Sequence, residues 1–262
     1  TGLVPVDSLF PPPVEGQPRI IDILLLPQFS LLSLAATMEP LRAANRAAAQ
    51  THYQWRLLSA DGDVVPSTSQ VPFPVHGRFD PEDARDALIV VSAFDVHSLA
   101  GPLLPGLRQV ARRGIPLGGV EAGSWALAMA GLLDGYRATT HWEDLEEFAM
   151  EFPHVDVVQD RYVVDRKRFT TGGATPALDM MLELIRADHG MALALSVAGI
   201  FIYEQEQPST DPQHIVSAGR LALAAPQLVK AIRLMEESIA EPVPIARIAR
   251  HAGYSLRNLQ LH

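Results

Sequence analysis

Groups that could bind a small charged molecule stand where an apolar segment of the chain ends. Glu121 directly follows the apolar run at 115–120, and Ala122 and Gly123 lead into a segment with helical spacing. N–H groups in the first turn of a helix can bind a carboxylate or a carbonyl oxygen, while the Glu121 carboxylate can pair with a cation. Together the three residues predict a binding site for a small polar ligand.

A second set of candidates follows another apolar run, at 87–91. It consists of Ser92, Ala93 and Phe94. Ligands of open parallel sheets bind beyond the carboxyl ends of the strands. If both runs are strands of one such sheet, these three residues line the same cleft as Glu121, and we predict them as ligand-binding residues.

The side chains needed for covalent catalysis are not in place. The chain has no cysteine, which excludes disulfides, thiolate metal sites and cysteine nucleophiles and makes the cytoplasm the default compartment. Ser124 stands in the sequence AGSWA, which is not the G-x-S-x-G pattern of a serine nucleophile. The histidines are too scattered to suggest a metal site. We therefore predict no catalytic residue, no metal and no cofactor.

Apolar runs alternate with helical segments through most of the chain. Continuous apolar runs bounded by turn residues are typical of buried parallel strands. Strands are predicted at 20–26, 55–59, 87–91, 115–120, 155–158, 162–165 and 169–171. Helices are predicted at 31–49, 103–113, 124–133, 145–152, 176–189 and 228–239. This order predicts an α/β fold in which a mostly parallel sheet is sandwiched between helices.

The composition of the 262-residue chain, with 48% hydrophobic and 19% charged residues, supports a folded core. No apolar run is long enough to span a membrane, so no membrane partner is predicted. Residues 1–18 are proline-rich and predict a flexible lead-in, 19–203 form the effector-binding domain, and the polar residues 204–225 form a linker. Because the chain begins at Thr1 and not at methionine, we expect it to be part of a longer protein.

The last segment, 226–262, differs from the rest in charge. It carries a net charge of +2, whereas the whole chain carries −9, which leaves −11 for the first 225 residues. An acidic body repels nucleic acid, while a mildly basic segment tolerates it.

The apolar pattern of this segment predicts a helix-turn-helix. Ile245, Ile248 and Ala249 form an apolar stripe on a short helix, and Gly253 suits a tight turn that needs a positive φ. We expect Leu259 to pack the second helix back onto the first. That helix reaches the end of the chain after about two turns, so the domain is partial. A plain helical hairpin is the alternative interpretation.

Three residues of the second helix are candidates for contact with DNA. Ser255 can cap the helix, and Arg257 and Asn258 stand near its start, where side chains reach base edges or phosphates. We predict promoter DNA as a partner of the full-length protein. We also expect a homodimer, because regulators that read paired half-sites usually dimerise.

Three motifs, in the expected order, resemble those of one family. Residues 114–142 read GIPLGGVEAGSWALAMAGLLDGYRATTHW, 170–185 read TTGGATPALDMMLELI, and 245–259 read IARIARHAGYSLRNL. They resemble AraC-family transcriptional regulators with an N-terminal sensor domain of the ThiJ/PfpI type, which is flavodoxin-like and similar to class I glutamine amidotransferases. The resemblance covers about 20–259 and implies an effector-sensing regulator. The AraC-type DNA-binding region normally has two helix-turn-helix units, of which only the first, incomplete, is present.

The resemblance also assigns positions around the predicted cleft. Enzymes of this fold place a cysteine at a sharp strand-to-helix turn, and Glu121 occupies that position here. The thiolate mechanism is therefore lost. By the same resemblance, Glu39 lies beside the turn and His141 points toward it.

Two acidic side chains with Trp125 and Trp142 nearby suggest a cationic effector. The face of a tryptophan attracts a cation by about 0.5–1 kcal/mol when exposed and about 2 kcal/mol when desolvated. We predict a zwitterionic or quaternary-ammonium effector, such as a basic amino acid or a betaine-like compound. The alternative is that both tryptophans are core residues and that Glu121 only holds the turn.

Two other functions stay open on the sequence alone. One is a hydrolase or hydratase of the ThiJ/PfpI type, against which the lack of cysteine counts. The other is a dimerisation module whose pocket is vestigial.

Overall fold

The structure is a computed structural model that describes residues 9–10, 16–203, 209–210, 213, 226–238 and 243–259. The chain divides into two compact units, Thr1–Thr210 and Asp211–His262. Most of the proposed linker, 204–225, lies outside the described residues.

The first unit is organised around one large sheet. Its strands are β1 (Arg19–Leu25), β2 (Tyr53–Ser59), β3 (Val65–Pro66), β4 (Pro72–Phe73), β5 (Gly77–Arg78), β6 (Ala87–Ser92), β7 (Leu117–Glu121), β8 (Arg137–Ala138), β9 (Asp156–Val157), β10 (Tyr162–Asp165) and β11 (Arg168–Thr171). Seven of them form the sheet, in the order β10-β11-β7-β6-β1-β2-β5. Every neighbouring pair is parallel except β10 and β11. The prediction of a mostly parallel α/β sheet is confirmed.

Helices cover both faces of this sheet. They are α1 (Leu31–Ala48), α2 (Val96–Leu99), α3 (Leu104–Arg112), α4 (Gly123–Met129), α5 (Leu145–Glu151), α6 (Ala174–His189) and α7 (Met191–Ile200). Side chains of a strand alternate between its faces. In β6, Ile89 and Val91 pack into the cluster formed with α1, α6 and α7, whereas Leu88 and Val90 pack into the cluster formed with α3, α4 and α5.

Helix α7 has no counterpart in the elements predicted from the sequence. Gly190, with φ +86°, ends α6 and at the same time begins α7. A glycine after a helical pattern indicates the end of a helix. It does not reveal that the chain turns there directly into a second helix.

Two residues of the proposed flexible lead-in are packed, which corrects that prediction for them. Leu9 is fully buried in the cluster with α1 and α6. The ring of Phe10 stands edge-on to Phe169 with centroids 6.4 Å apart, and the Arg19 guanidinium lies 4.4 Å from its centroid. Burial of these apolar side chains offsets the entropy lost in ordering the chain.

The second unit contains α8 (Pro226–Glu237), α9 (Ile245–Ala252) and α10 (Leu256–Leu259). Its small core holds Ala231, Ile248 and Ala252. Ile245, which the sequence pattern places on the apolar stripe, is exposed. The packing expected of the Leu259 side chain lies outside the described part of the structure.

The turn between α9 and α10 has the predicted geometry. Gly253 has φ +78°, and its N–H donates to Arg250 O at 3.2 Å, while Tyr254 N–H donates to Ala249 O at 2.8 Å. These are the two hydrogen bonds of a Schellman motif, in which glycine adopts the left-handed conformation. The tight turn at Gly253 is thereby confirmed.

No helix in the described ranges is both long and apolar enough to cross a bilayer.

Candidate functional site

The candidate site begins at the sharp turn between β7 and α4. Glu121 ends the strand with φ +52°, a conformation that side chains other than glycine rarely adopt. Neighbouring glycines allow the tight turn: a Cβ at Gly123 would overlap Val90 O, and one at Gly119 would overlap the backbone of Ser124. The strained strand-to-helix turn expected at Glu121 is confirmed.

The Glu121 side chain lies against the start of α6. A Cβ added at Gly173 would overlap Cγ and Cδ of Glu121, so the carboxyl group occupies the space that the missing side chain leaves. From the other side, Ser33 of α1 accepts a hydrogen bond from Ala174 N–H at 2.7 Å. The starts of α1 and α6 therefore enclose the carboxyl group.

Glu121 is half-buried as a residue, and its carboxyl group is incompletely hydrogen-bonded. Its Oε2 has no hydrogen-bond partner within the described part of the chain. Burial raises the pKa of Glu121 from 4.5 to about 7, the Ser33 hydroxyl lowers that pKa by hydrogen bonding, and the Asp144 carboxylate raises it. The group therefore changes its charge near neutral pH.

The segment after β8 forms another wall of the site. Thr140 Oγ1 donates to Glu121 O at 3.3 Å, and Asp144 N–H donates to His141 O at 2.9 Å. Burial raises the pKa of Asp144, while His141 lowers it. Asp144 and Glu121 therefore form an acidic pair, with His141 half-buried beside them.

Two aromatic side chains near the strand ends reach solvent. Trp142 is 40% exposed, with its ring centroid 5.7 Å from that of His141, and Phe94, after β6, is 63% exposed. Ala93, between β6 and Phe94, is half-buried. These residues lie at the carboxyl edge of the sheet, where the sequence places them.

Ser92 is a second buried polar group without a partner. It is paired in register with Glu121 at the end of β6, is fully buried, and its Oγ has no hydrogen-bond partner in the described structure. The alternation of β6 places it on the same face as Leu88 and Val90, toward α4. Glu121 instead turns toward α1 and α6 because its φ is positive. The two unpartnered groups thus lie on different faces of adjacent strand ends.

Two predicted site residues do not lie at this turn. Trp125 is 3% exposed, and its ring packs edge-on against His97, Phe148 and Phe152, so it is a core residue and not a wall of the site. The face of α4 that bears Trp125 packs toward α2 and α5.

The prediction for Glu39 is also corrected. Its half-exposed carboxylate pairs with Arg42 at 2.6 Å, one turn along α1. The residue of α1 that meets Glu121 is Ser33, and six residues of an α-helix turn through about 600°, which leaves Glu39 on another side of the helix and about 9 Å further along it.

Several groups at the site were not singled out by sequence reasoning: Ser33, Asp144, Gly173 and Ala174. Ser33 lies in the first turn of α1, immediately after β1, and that position at the carboxyl edge of the sheet could have indicated it. Asp144 belongs to an acidic stretch that is typical of a solvated helix face. No local pattern marks Gly173 as the neighbour of Glu121.

Among the described residues, the turn offers neither a thiol nor an accessible serine hydroxyl. The chain lacks cysteine, and Ser124 is fully buried with its Oγ 3.4 Å from Gly119 O. In the described ranges no three His, Asp or Glu side chains converge in a way that could hold a metal ion. The group at the turn that can accept a hydrogen bond or exchange a proton is the Glu121 carboxyl.

In the second unit, the residues proposed to contact DNA surround the start of α10. Ser255 Oγ accepts from Asn258 N–H at 3.2 Å, so the predicted helix cap is confirmed, and Asn258 is exposed. The side chain of Arg257 lies outside the described part of the structure.

The sequence profile of the DJ-1/PfpI family matches residues 22–187, which include the sheet and the turn at Glu121. The chain belongs to the DJ-1/PfpI family. A crystal structure of an AraC family transcriptional regulator from Pseudomonas putida superposes on this DJ-1/PfpI chain with a TM-score of 0.65, at 29% identity, and covers 70% of this chain and 100% of that one.

Curated relatives of this DJ-1/PfpI chain include regulators and an enzyme. The HTH-type transcriptional regulator GbdR of Pseudomonas aeruginosa is 37% identical over 250 residues, which are 95% of this chain and 68% of the relative. The isonitrile hydratase of Pseudomonas putida is 31% identical over 237 residues, 84% of this chain and 96% of the enzyme. The resemblance to AraC-type regulators with a ThiJ/PfpI-like domain is confirmed.

Proposed function

We propose that this chain is the effector-sensing part of a DNA-binding transcriptional regulator, and that its DJ-1/PfpI domain binds a cationic or zwitterionic amine without catalysing a reaction. The observation that carries the proposal is the buried carboxyl group of Glu121, whose Oε2 lacks a partner in the described structure. It stands where the resemblance to enzymes of this fold implies a cysteine.

The electrostatics of the site favour a cation. Asp144 raises the pKa of Glu121, which means that the two carboxylates repel each other when both are ionised. A positively charged group bound beside them relieves that repulsion. The half-exposed Trp142 offers an aromatic face to the same charge.

A zwitterionic effector would also need hydrogen-bond donors for its carboxylate. The N–H groups of Ala122 and Gly123, at the start of α4, have no carbonyl four residues back within that helix. The backbone of Ser92, at the end of the neighbouring strand β6, and that of Ala93, which follows it, lie at the same carboxyl edge. We propose these backbone groups as the contacts of the effector's carboxylate.

The second unit supports the DNA-binding half of the proposal. The Schellman turn at Gly253 and the cap at Ser255 support the helix-turn-helix interpretation. We propose Ser255, Arg257 and Asn258 as contacts to promoter DNA in the full-length protein, a homodimer as the functional form, and the cytoplasm as its compartment.

A hydratase is the second candidate, because the isonitrile hydratase relative aligns over most of this chain. The lack of cysteine speaks against it, since a carboxylate at the turn is a much weaker nucleophile toward a neutral substrate than a thiolate. Turnover of an isonitrile that disappears in Glu121→Gln would favour the enzyme over the sensor.

The first experiment is a thermal-shift screen with arginine, ornithine, carnitine, glycine betaine and neutral analogues. A ligand at 100 times its dissociation constant adds about 2.7 kcal/mol of stability, or roughly 5–10 °C for a domain of this size. We expect a shift with cationic amines that Glu121→Gln abolishes and that Glu39→Gln, the surface control, retains. If none of the amines shifts the transition, the cationic-effector proposal is wrong, and a structural dimerisation module becomes the better interpretation.

A further inference from the structure

The outer edge of β2 is partly open. β1 pairs with one side of the strand, while on the other side β5 pairs with its last two residues, 58 and 59. Arg19 N–H donates to His52 O, so the even-numbered residues of this segment direct their backbone groups to β1. Because backbone groups alternate in direction along a strand, Tyr53, Trp55 and Leu57 direct their N–H and C=O groups to the outer edge.

Asn45 and His76 cover this edge on either side of Trp55. The Asn45 carboxamide donates from Nδ2 to Tyr53 O at 2.7 Å and accepts at Oδ1 from Tyr53 N–H at 2.9 Å. Leu57 N–H donates to His76 Nδ1 at 2.8 Å, and Leu57 O accepts from His76 N–H at 2.7 Å. Neither backbone group of Trp55 has a hydrogen-bond partner on this edge within the described ranges. One donor and one acceptor therefore stand unpaired between two residues whose groups are occupied.

A groove of about 470 Å³ opens at the same place. Its lining includes Asn45, Trp55 and His76, together with Ile20 of β1. Small-molecule sites in proteins have volumes of about 300–1,000 Å³, so the groove has room for a ligand. Trp55 and Ile20 are half-buried and give it apolar surface beside the unpaired backbone groups.

The charges around the groove favour a neutral ligand. Arg56 also lines it, but its guanidinium donates to the carboxylates of Asp22 and Asp83. His76 is neutral while its Nδ1 accepts from the backbone, because an imidazolium carries a proton on both nitrogens and cannot accept.

The pairing of Asn45 with Tyr53 shows which chemical group fits the backbone of Trp55. A primary carboxamide presents its N–H and its C=O on one side, as does the cyclic amide of a lactam, and so it can pair with both groups of one residue. Trp55 offers the same two groups as Tyr53, about 7 Å further along the strand. A carboxylate has two acceptors and an amidinium two donors, so each would set one group of Trp55 against a like group. A peptide strand would need the outward groups of Tyr53 and Leu57 as well, and these are occupied.

We propose that the groove at the edge of β2 is a binding site for a neutral small molecule with a primary carboxamide or lactam, which pairs with the backbone N–H and C=O of Trp55. In the sheet, β2 lies three strand positions from β7, or about 14 Å. The groove is therefore separate from the turn at Glu121, and this inference does not depend on the proposed function.

The test uses three probes of nearly the same shape: benzamide, benzoate and benzamidinium. Each is titrated into the ¹⁵N-labelled chain, and the backbone amide signal of Trp55 is followed by NMR. We expect benzamide to shift this signal saturably at millimolar concentration. Benzoate and benzamidinium should bind at least about tenfold more weakly, because each leaves a group of Trp55 facing a like group.

Two variants of Trp55 isolate the backbone contact. Trp55→Ala and Trp55→Pro both lose the indole, but Trp55→Pro also loses the N–H, and proline is tolerated where the N–H of an edge strand faces outward. Ligand-observed NMR should show benzamide binding at least about threefold more weakly to Trp55→Pro than to Trp55→Ala. Glu121→Gln should bind benzamide like wild type, and circular dichroism establishes that each variant is folded.

The other outcomes overturn the proposal. Equal binding of the three probes would mean that the ring alone is held, by contact with apolar surface. If benzamide leaves the Trp55 signal unchanged at millimolar concentration, the edge is simply hydrated. Equal affinity of Trp55→Ala and Trp55→Pro would show that the N–H makes no contact, and if Trp55→Pro does not fold, the three probes on the wild-type chain decide.

Discussion

The side chain of Glu121 occupies the space that the missing side chain of Gly173 leaves. A Cβ at position 173 would overlap Cγ and Cδ of Glu121, and Gly173 itself has φ +86°. The turn between β7 and α4 therefore packs directly against the start of α6, and no methyl group fits between Glu121 and Gly173. This close fit keeps the carboxyl group buried between α1 and α6.

The first prediction follows from this fit. Gly173→Ala should lower the free energy of unfolding by about 2–4 kcal/mol, because it adds a steric overlap to the strain of a positive φ. Urea unfolding followed by fluorescence measures it, since all three tryptophans, Trp55, Trp125 and Trp142, lie in the first unit. Gly190→Ala is the matched control: its φ is also +86° and its ψ is similar, but no atom lies within 4 Å of an added Cβ, so the loss should reflect backbone strain alone, about 1–3 kcal/mol.

A double variant separates the two contributions. Glu121→Gly removes the side chain that the methyl group added by Gly173→Ala would overlap. In that background the loss caused by Gly173→Ala should fall to the value of the Gly190 control. Equal losses with and without the Glu121 side chain would mean that the methyl group and that side chain do not meet.

The second prediction concerns stability and pH. Burial raises the pKa of Glu121 to about 7, so the folded state binds a proton more tightly than the unfolded state, where the pKa is 4.5. The contribution of Glu121 to stability is therefore most favourable below pH 4.5 and is lost as pH rises to about 7. Relative to wild type, Glu121→Gln should gain nothing at pH 4 and up to about 3 kcal/mol at pH 8.

The measurement is the difference in urea unfolding between the two proteins at several pH values. Taking the difference cancels the titrating groups that do not interact with Glu121. Asp144, whose carboxylate raises the pKa of Glu121, is not among them. A constant difference from pH 4 to pH 8 would show that Glu121 ionises in the folded protein as it does in water.

Much of the sheet could be predicted from the sequence, because buried parallel strands are continuous apolar runs and each run here ends at a turn residue. The end of the strand before Glu121 followed from the same pattern, whereas the sharp turn there came from the resemblance to the ThiJ/PfpI fold. The register that pairs Ser92 with Glu121 could not be predicted from the sequence, because it depends on which strands become neighbours.

The errors at the site have a common physical origin. Helical spacing gives the period of α1 but not its rotation relative to the sheet, so it could not decide whether Ser33 or Glu39 faces Glu121. In the same way, Trp125 lies in the first turn of α4, next to Glu121. The direction of its side chain, however, depends on α2 and α5, which pack against the indole ring. Contacts such as that between Glu121 and Gly173 join residues far apart in the sequence, and no local pattern specifies them.

The third prediction distinguishes the two tryptophans. Trp125→Ala should cost about 3–5 kcal/mol of stability, because the ring is fully packed against Phe148 and Phe152. Trp142→Ala removes a half-exposed ring and should cost less than about 1 kcal/mol, yet weaken binding of a cationic effector by about 0.5–2 kcal/mol. Thermal unfolding by circular dichroism and calorimetric binding give the two quantities.

The conservative variant Trp125→Phe keeps the core filled enough for the binding measurement. It should bind the effector like wild type. If Trp125→Phe loses as much affinity for the effector as Trp142→Ala does, Trp125 contacts the effector and the assignment of Trp125 to the core alone is wrong.

The fourth prediction compares a buried ion pair with an exposed one. Asp179 of α6 is almost fully buried, accepts from Arg161 at 2.6 Å and from the Tyr203 hydroxyl at 2.7 Å, and so ties the β9–β10 connection and the chain after α7 to α6. Asp179→Asn leaves the Arg161 charge buried without its partner and should cost about 3–5 kcal/mol. Tyr203→Phe removes one hydrogen bond to the same carboxylate and should cost about 1–2 kcal/mol.

The control is Glu39→Gln, which breaks the half-exposed pair with Arg42 and should change stability by less than about 1 kcal/mol. Urea unfolding of the three variants tests the order, and a loss in Asp179→Asn no larger than that in Glu39→Gln would mean that the Arg161–Asp179 pair is solvated and does not hold these segments together.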